Sequence, residues 1–200
     1  MKRLCNWTRV CPRSAGCARS RLRRAHPDVR LNISTELWEP RLMAEGAEVE
    51  IRYGLRPPDG LRAECIHRGH YYPVCAPGYR ATLETLAEHP LFHCTNLLGN
   101  WSQWAEEQAL DWTDPPVTYA TTFSVTMAIA ASGGGLALAH DLIAKHLIEE
   151  GRLTAPFEYR AQMPEAYYLI LSPEGEQSEP ARRFVSWLKD EMAVDDQRAG

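Results

Sequence analysis

Residues 117–151 read VTYATTFSVTMAIAASGGGLALAHDLIAKHLIEEG, and the order of patterns in this stretch decides the fold class. Residues 117–122 read as a strand. Ser124 stands where its hydroxyl can cap a helix over 125–131. Gly133, Gly134 and Gly135 stop that helix, and Leu136-Ala137-Leu138 is a short apolar run suited to a buried strand. Asp141 is placed to cap a second helix, which Gly151 ends. Strand, helix, strand and helix in succession argue a parallel or mixed sheet with helices on both faces, an α/β fold. The glycine run follows a helix instead of opening one and has no lysine behind it. It therefore reads as a helix stop, not a phosphate cradle.

The same alternation extends outward. Residues 29–33 alternate apolar and polar, as a half-buried strand does, and a short helix is expected from near Pro40 to Gly46. Residues 49–53 form a second alternating run, stopped by Gly54, and Pro57-Pro58-Asp59-Gly60 has the chemistry of a turn. Strands are expected at 61–66 and 71–75 around Arg68-Gly69-His70, a short helix at 82–88 and a strand at 91–94. A helix over 101–108 would place Trp101, Trp104 and Ala105 on one face. Residues 166–171 are an apolar strand. A final amphipathic helix over 179–192 turns Phe184, Val185, Trp187 and Leu188 inward.

With 44% hydrophobic and 24% charged residues, the 200-residue chain has globular composition, which excludes a collagen, a coiled coil and a disordered tail. No apolar run reaches the ~20 residues of a membrane helix. An apolar leader is missing too, so the expected compartment is the cytoplasm and the six cysteines are expected as free thiols. The net charge of −4 is uneven: residues 1–30 hold nine Lys/Arg and one acid, while the rest is acidic. Such a basic start can contact phosphate, but residues 1–28 hold no helix-turn-helix, zinc-finger or basic-zipper pattern, which favours a solvated helix face.

Candidate chemistry is sparse. Cys65, His67, His70 and Cys75 are metal-ligand types, yet their spacing matches no common site, so no metal and no cofactor is expected. His93 and Cys94 are neighbours in a strand and point apart, which removes them as a thiol–imidazole pair. Ser124 has no Gly-x-Ser-x-Gly elbow. With no catalytic set, the chain is not expected to be an enzyme.

The motifs nevertheless form a recognisable ordered set. It begins with Arg24-Ala25-His26-Pro27-Asp28-Val29-Arg30-Leu31 and Ser34-Thr35. Glu48-Val49-Glu50-Ile51-Arg52-Tyr53-Gly54, Gly60-Leu61-Arg62-Ala63-Glu64, Pro73-Val74-Cys75-Ala76-Pro77 and His89-Pro90-Leu91 follow. Trp101 to Trp104, Phe123-Ser124, Gly151-Arg152-Leu153 with Pro156-Phe157, Ala166-Tyr167-Tyr168-Leu169 and Phe184 to Leu188 complete it. Over residues 18–192 this order resembles the effector-binding (substrate-binding) domain of LysR-type transcriptional regulators, in the branch of glycine-cleavage activators and β-lactamase regulators.

The resemblance implies an α/β, two-lobed, type 2 periplasmic-binding-protein-like fold with two crossover strands, near residues 72–75 and 165–171. Lobe I would hold 18–70 and 165–195, and lobe II 71–164. A small-molecule effector (an amino acid, a small carboxylate or a cell-wall fragment) would bind in the interlobe cleft. Carried over position by position, the effector-binding candidates are Ser34, Thr35, Tyr53, Gly54, Thr122, Phe123, Ser124 and Tyr167. The family's helix-turn-helix, its linker helix and its first effector-domain strand have no counterpart here. The expectation is therefore a truncated regulator with an incomplete lobe I, an atypical, poorly ordered start over 1–17, and DNA contact only through a missing domain. Pairing as a homodimer or with full-length relatives is expected, with no membrane partner. The alternatives are a free-standing solute-binding protein and a vestigial fragment without ligand binding.

Overall fold

The computed structural model describes residues 21–27, 29, 47–57, 59–95 and 97–197, with only the backbone of 193–197. The strand expected at 29–33, apart from Val29, and the helix expected from Pro40 to Gly46 lie outside the described residues, as does the start over 1–17. The chain divides into two compact units. One takes the chain up to Arg68 and from Glu165 onward, and the other runs from Gly69 to Pro164.

The first unit is built on a three-stranded antiparallel sheet of β1 (Val49–Gly54), β2 (Ala63–His67) and β8 (Ala166–Leu171), with β8 in the centre. The sequence Ala166-Tyr167-Tyr168-Leu169-Ile170-Leu171 suits that position, because a central strand covered on both faces has no polar side to show. Helix α5 (Glu179–Gln197) buries Ala181, Phe184 and Leu188, and Lys189 Nζ reaches Glu64 Oε2 of β2 at 2.6 Å. The short α4 (Pro173–Gln177) precedes it. Ser172 caps α4 by accepting the Gly175 N–H at 2.9 Å, and Pro173 sits in the first turn. Gly175 lies against the backbone of Glu48, where a Cβ would fall 2.1 Å from the carbonyl oxygen.

The second unit carries a five-stranded mixed sheet in the order β5-β4-β6-β3-β7. Its strands are β3 (His70–Val74), β4 (Leu91–Cys94), β5 (Val117–Ala120), β6 (Leu136–His140) and β7 (Ala161–Gln162). β4 is parallel to both β5 and β6, whereas β3 is antiparallel to β6 and β7. Helices α1 (Trp101–Glu106), α2 (Phe123–Ala131) and α3 (Asp141–Glu149) connect the strands. Met127 and Ala130 of α2 and Ala144 of α3 pack with Tyr72, Val74, Ala137 and Ala139 in one buried cluster. Gly135, at φ +148°, feeds β6. A Cβ there would fall 2.2 Å from the Pro90 carbonyl oxygen, which accepts the Leu136 N–H.

Several expected elements differ. Residues 82–88 form only a 3-10 turn over Leu86–Glu88. Thr82 and Thr85 bond each other's backbone, with Thr82 N–H on Thr85 Oγ1 at 3.1 Å and Thr85 N–H on Thr82 Oγ1 at 3.3 Å, which competes with helical bonding. Helix α2 begins at Phe123, with Thr122 as its cap residue, so Ser124 lies in the first turn and is not the cap. His140, not Asp141, occupies the cap position of α3. The sheet is mixed in the second unit and antiparallel among the described strands of the first. Helix α4 lies outside the expected set, and α5 continues past 192.

Candidate functional site

Strand direction gathers the candidate residues at one end of each unit. β1 and β2 both run antiparallel to β8, so their carboxyl ends meet its start. Tyr53 is the register partner of Tyr167, Gly54 of Ala166, and His67 of β2 faces Tyr167 from the other side. The Tyr53 and Tyr167 rings lie 5.0 Å apart, and His67 lies 6.3 Å from Tyr167. The chain leaves this unit after Arg68 and returns at Glu165, so the aromatic row sits at the end where the chain passes out.

In the second unit the strand order reverses about β4: the chain runs β4, β5, β6, yet β4 lies between the other two. In open α/β sheets ligands bind beyond the carboxyl ends of strands where the order reverses. At that end β5 feeds α2 through Thr122, whose extended backbone (φ −136°, ψ 142°) opens the helix. Thr122 Oγ1 and Ser124 Oγ are 3.0 Å apart and exposed. The Thr122 side chain makes no cap bond to the helix. Phe123 is buried, with its ring edge-on to His140 at 5.0 Å. Two hydroxyls at the first turn of a nine-residue helix can hydrogen-bond an anionic or polar group, in a region of positive potential.

Ser34 and Thr35 lie outside the described residues. Of the other six candidates, Tyr53, Gly54 and Tyr167 come together in the first unit, and Thr122, Phe123 and Ser124 in the second. Three neighbours escaped the sequence reading. His67 is brought beside Tyr167 by an irregularity in register between Cys65 and His67, which no periodicity reveals. His140 ends β6 against Phe123. Asp141 does more than open a helix: its Oδ1 accepts the Leu142 N–H at 2.8 Å and its Oδ2 the His70 N–H at 3.1 Å.

Close by, the Arg160 guanidinium lies 3.8 Å over the Tyr72 ring. Burial pushes the Tyr72 phenol up to about 12. Arg160 pulls it down and Asp141 pushes it up, both by less than burial. Among the described residues no group of three or more His, Cys, Asp or Glu could hold a metal, and Cys65, Cys75 and Cys94 are free thiols. A groove of about 510 Å³ in the first unit, floored by Ala63, Leu169 and Leu171, lies at the opposite end of the sheet from the aromatic row.

Residues 15–193 match the model of the LysR substrate binding domain. The chain belongs to that family. The glycine cleavage system transcriptional activator of Escherichia coli is 27% identical to this LysR domain over 183 residues, covering 87% of the chain and 59% of the activator. The HTH-type transcriptional activator AmpR of Rhodobacter capsulatus is 30% identical over 178 residues, covering 86% of the chain and 60% of AmpR. The chain thus spans about three fifths of the length of these transcriptional regulators. The effector domain of AmpR of Pseudomonas aeruginosa superposes with a TM-score of 0.81 at 19% identity, covering 100% of this chain and 98% of that one. The AmpR effector-binding domain of Citrobacter freundii gives 0.80 at 20%, covering 96% and 98%. The fold class is therefore the α/β, type 2 periplasmic-binding-protein-like fold of LysR effector-binding domains. Among the described residues no helix is long and apolar enough to cross a membrane.

Proposed function

We propose that this LysR domain senses a small-molecule effector for a regulator of transcription, and that it binds its effector without making or breaking bonds. The observation that carries this reading is the gathering of six candidate residues in two groups: Tyr53 and Gly54 at the carboxyl end of β1 beside Tyr167 at the start of β8, and Thr122, Phe123 and Ser124 where β5 runs into α2. Thr122 and Ser124 supply hydroxyls at a helix start for a carboxylate or similar polar group, and Phe123 anchors that helix start. Tyr53, half-buried, supplies an aromatic face, with the buried Tyr167 ring packed behind it and Gly54 leaving the strand end uncovered by a side chain. Ser34 and Thr35 are proposed to add hydroxyls to the same set. An amino acid, a small carboxylate or a cell-wall fragment fits this chemistry.

Differential affinity for two arrangements of a regulator is what converts binding into a signal. The relatives are transcriptional activators, and AmpR is of the HTH type. This supports a role in the cytoplasm, with DNA reached through a helix-turn-helix domain and with homodimers or relatives as partners. Residues 18–70 with 165–195, and 71–164, are proposed to work together as one effector-binding domain.

The experiment is a thermal-shift screen with amino acids, small carboxylates and muropeptides, run beside Thr122→Ala and Ser124→Ala. A ligand that binds only the native state raises Tm in proportion to the logarithm of its concentration. The expected result is such a rise with one ligand class, reduced in both variants.

A further inference from the structure

The second unit contains a chain of contacts that leads from the proposed effector end to both points where the polypeptide enters and leaves it. Phe123, the first residue of α2, meets the His140 ring at 5.0 Å and 89°. His140 Nδ1 stands 4.0 Å from Asp141 Oδ1. Asp141 Oδ2 accepts the His70 N–H at 3.1 Å, one residue beyond the start of the unit at Gly69. The Gly69 carbonyl accepts the Met163 N–H at 2.9 Å, one residue before the unit ends at Pro164. β3 and β7 continue this tie through the pairs His70 with Gln162 and Tyr71 with Ala161.

A helix start needs no acid that reaches back 71 residues. Asp141 already meets the local need by accepting the Leu142 N–H with Oδ1, and its second oxygen is spent on the incoming chain. A carboxylate accepting a backbone N–H is among the stronger hydrogen bonds. Gly69, which holds Met163, adjoins His70 in the chain, and His70 pairs with Gln162, so the two passages meet at His70.

We infer that Asp141 is a positioning residue of the sensing response: it fastens the incoming strand to the helix start that Phe123 and His140 brace, so that a shift at α2 is felt where the chain enters and leaves the unit. This inference rests on the effector-sensing reading for its purpose, though not for its test. Coupling of this kind is established by measured non-additivity, not by proximity.

The test is amide hydrogen exchange on the whole chain without ligand, comparing wild type, Asp141→Asn, Asp141→Ala, Phe123→Leu and the Asp141→Ala/Phe123→Leu double variant. Leu136 N–H on Pro90 and Thr154 N–H on Cys75 serve as reference amides in the same unit. The expected result is exchange faster by about tenfold or more at His70 and Met163 in Asp141→Ala, with the reference amides unchanged. Asp141→Asn, which keeps an acceptor oxygen, is expected to recover most of the protection. Phe123→Leu is expected to speed His70, and the double variant to fall short of the product of the single effects. The inference is overturned if His70 is unmoved in Asp141→Ala, if the reference amides accelerate with it, or if the two substitutions multiply. Because no effector is present, such a result bears on the relay alone. Failure of the thermal-shift screen bears on ligand binding.

Discussion

Tyr53 and Tyr167 are register partners in β1 and β8, and their rings sit 5.0 Å apart at an interplanar angle of 46°. Tyr167 is 1% exposed, so its ring serves the sheet as well as the proposed site. Tyr167→Ala is expected to lower stability by on the order of 3 kcal/mol, as loss of a buried aromatic does. Tyr167→Phe removes only the hydroxyl and is expected to cost on the order of 1 kcal/mol, well below the loss in Tyr167→Ala. Urea unfolding separates the two, since a change in midpoint at constant slope reports stability.

Glu50 is a buried carboxylate on β1, held by Arg52 Nε on Oε1 at 2.8 Å. Glu50→Ala leaves a mostly buried guanidinium without that partner and is expected to cost on the order of 2 kcal/mol. Removing Arg52 as well is expected to cost less than the sum of the single losses, which a double-mutant cycle by urea unfolding reads directly.

The capping box of α1 offers a local prediction. Asn100 Oδ1 accepts the Gln103 N–H at 2.9 Å, and Gln103 Oε1 accepts the Asn100 N–H at 3.3 Å. Asn100→Ala is expected to cost about 1 kcal/mol, and Asn100→Ser a few tenths, by the same unfolding measurement.

Alkaline pH acts on Tyr72. Its phenol is raised to about 12 in the folded chain, from an ordinary value of 10, mainly by burial. The folded state therefore holds the proton more tightly than the unfolded state. That contribution to stability is fully present below pH 10 and is lost as pH rises through 12. Burial raises Tyr79 and Cys75 in the same direction. Tyr72→Phe is expected to remove on the order of 2 kcal/mol of the loss between pH 10 and 12, seen as a shallower fall of the urea midpoint with pH.

The pattern of residues 117–151 was legible because its helices end on local stops, Gly133 to Gly135 and Gly151, with the apolar run Leu136-Ala137-Leu138 between them. β6, α3 and the turn at Gly151 follow from local signals alone. The end of β2 was not legible in the same way. His67 reaches Tyr167 only because the register shifts after Cys65, and pairing is a property of two strands. Helix α4 was missed because Pro173-Glu174-Gly175-Glu176-Gln177 has no apolar period. It exists because Ser172 caps it and Gly175 fits against Glu48. The turn at 82–88 failed in the opposite sense: its composition allows a helix, but the threonine hydroxyls bond the backbone first. At the candidate site, Phe123 and Ser124 stand in the ordered motif set, and they fall in the first turn of α2. Asp141 showed only its helix-start role, since its bond to His70 spans 71 residues.

The most direct measurement is the Tm of this domain against graded concentrations of small carboxylates, amino acids and muropeptides, in wild type and in a Thr122→Ala/Ser124→Ala variant. Effector sensing calls for a saturable rise in Tm with at least one class, with the double variant needing about tenfold or more ligand for the same rise. No rise with any compound, or a rise that the double variant reproduces at the same concentrations, contradicts it.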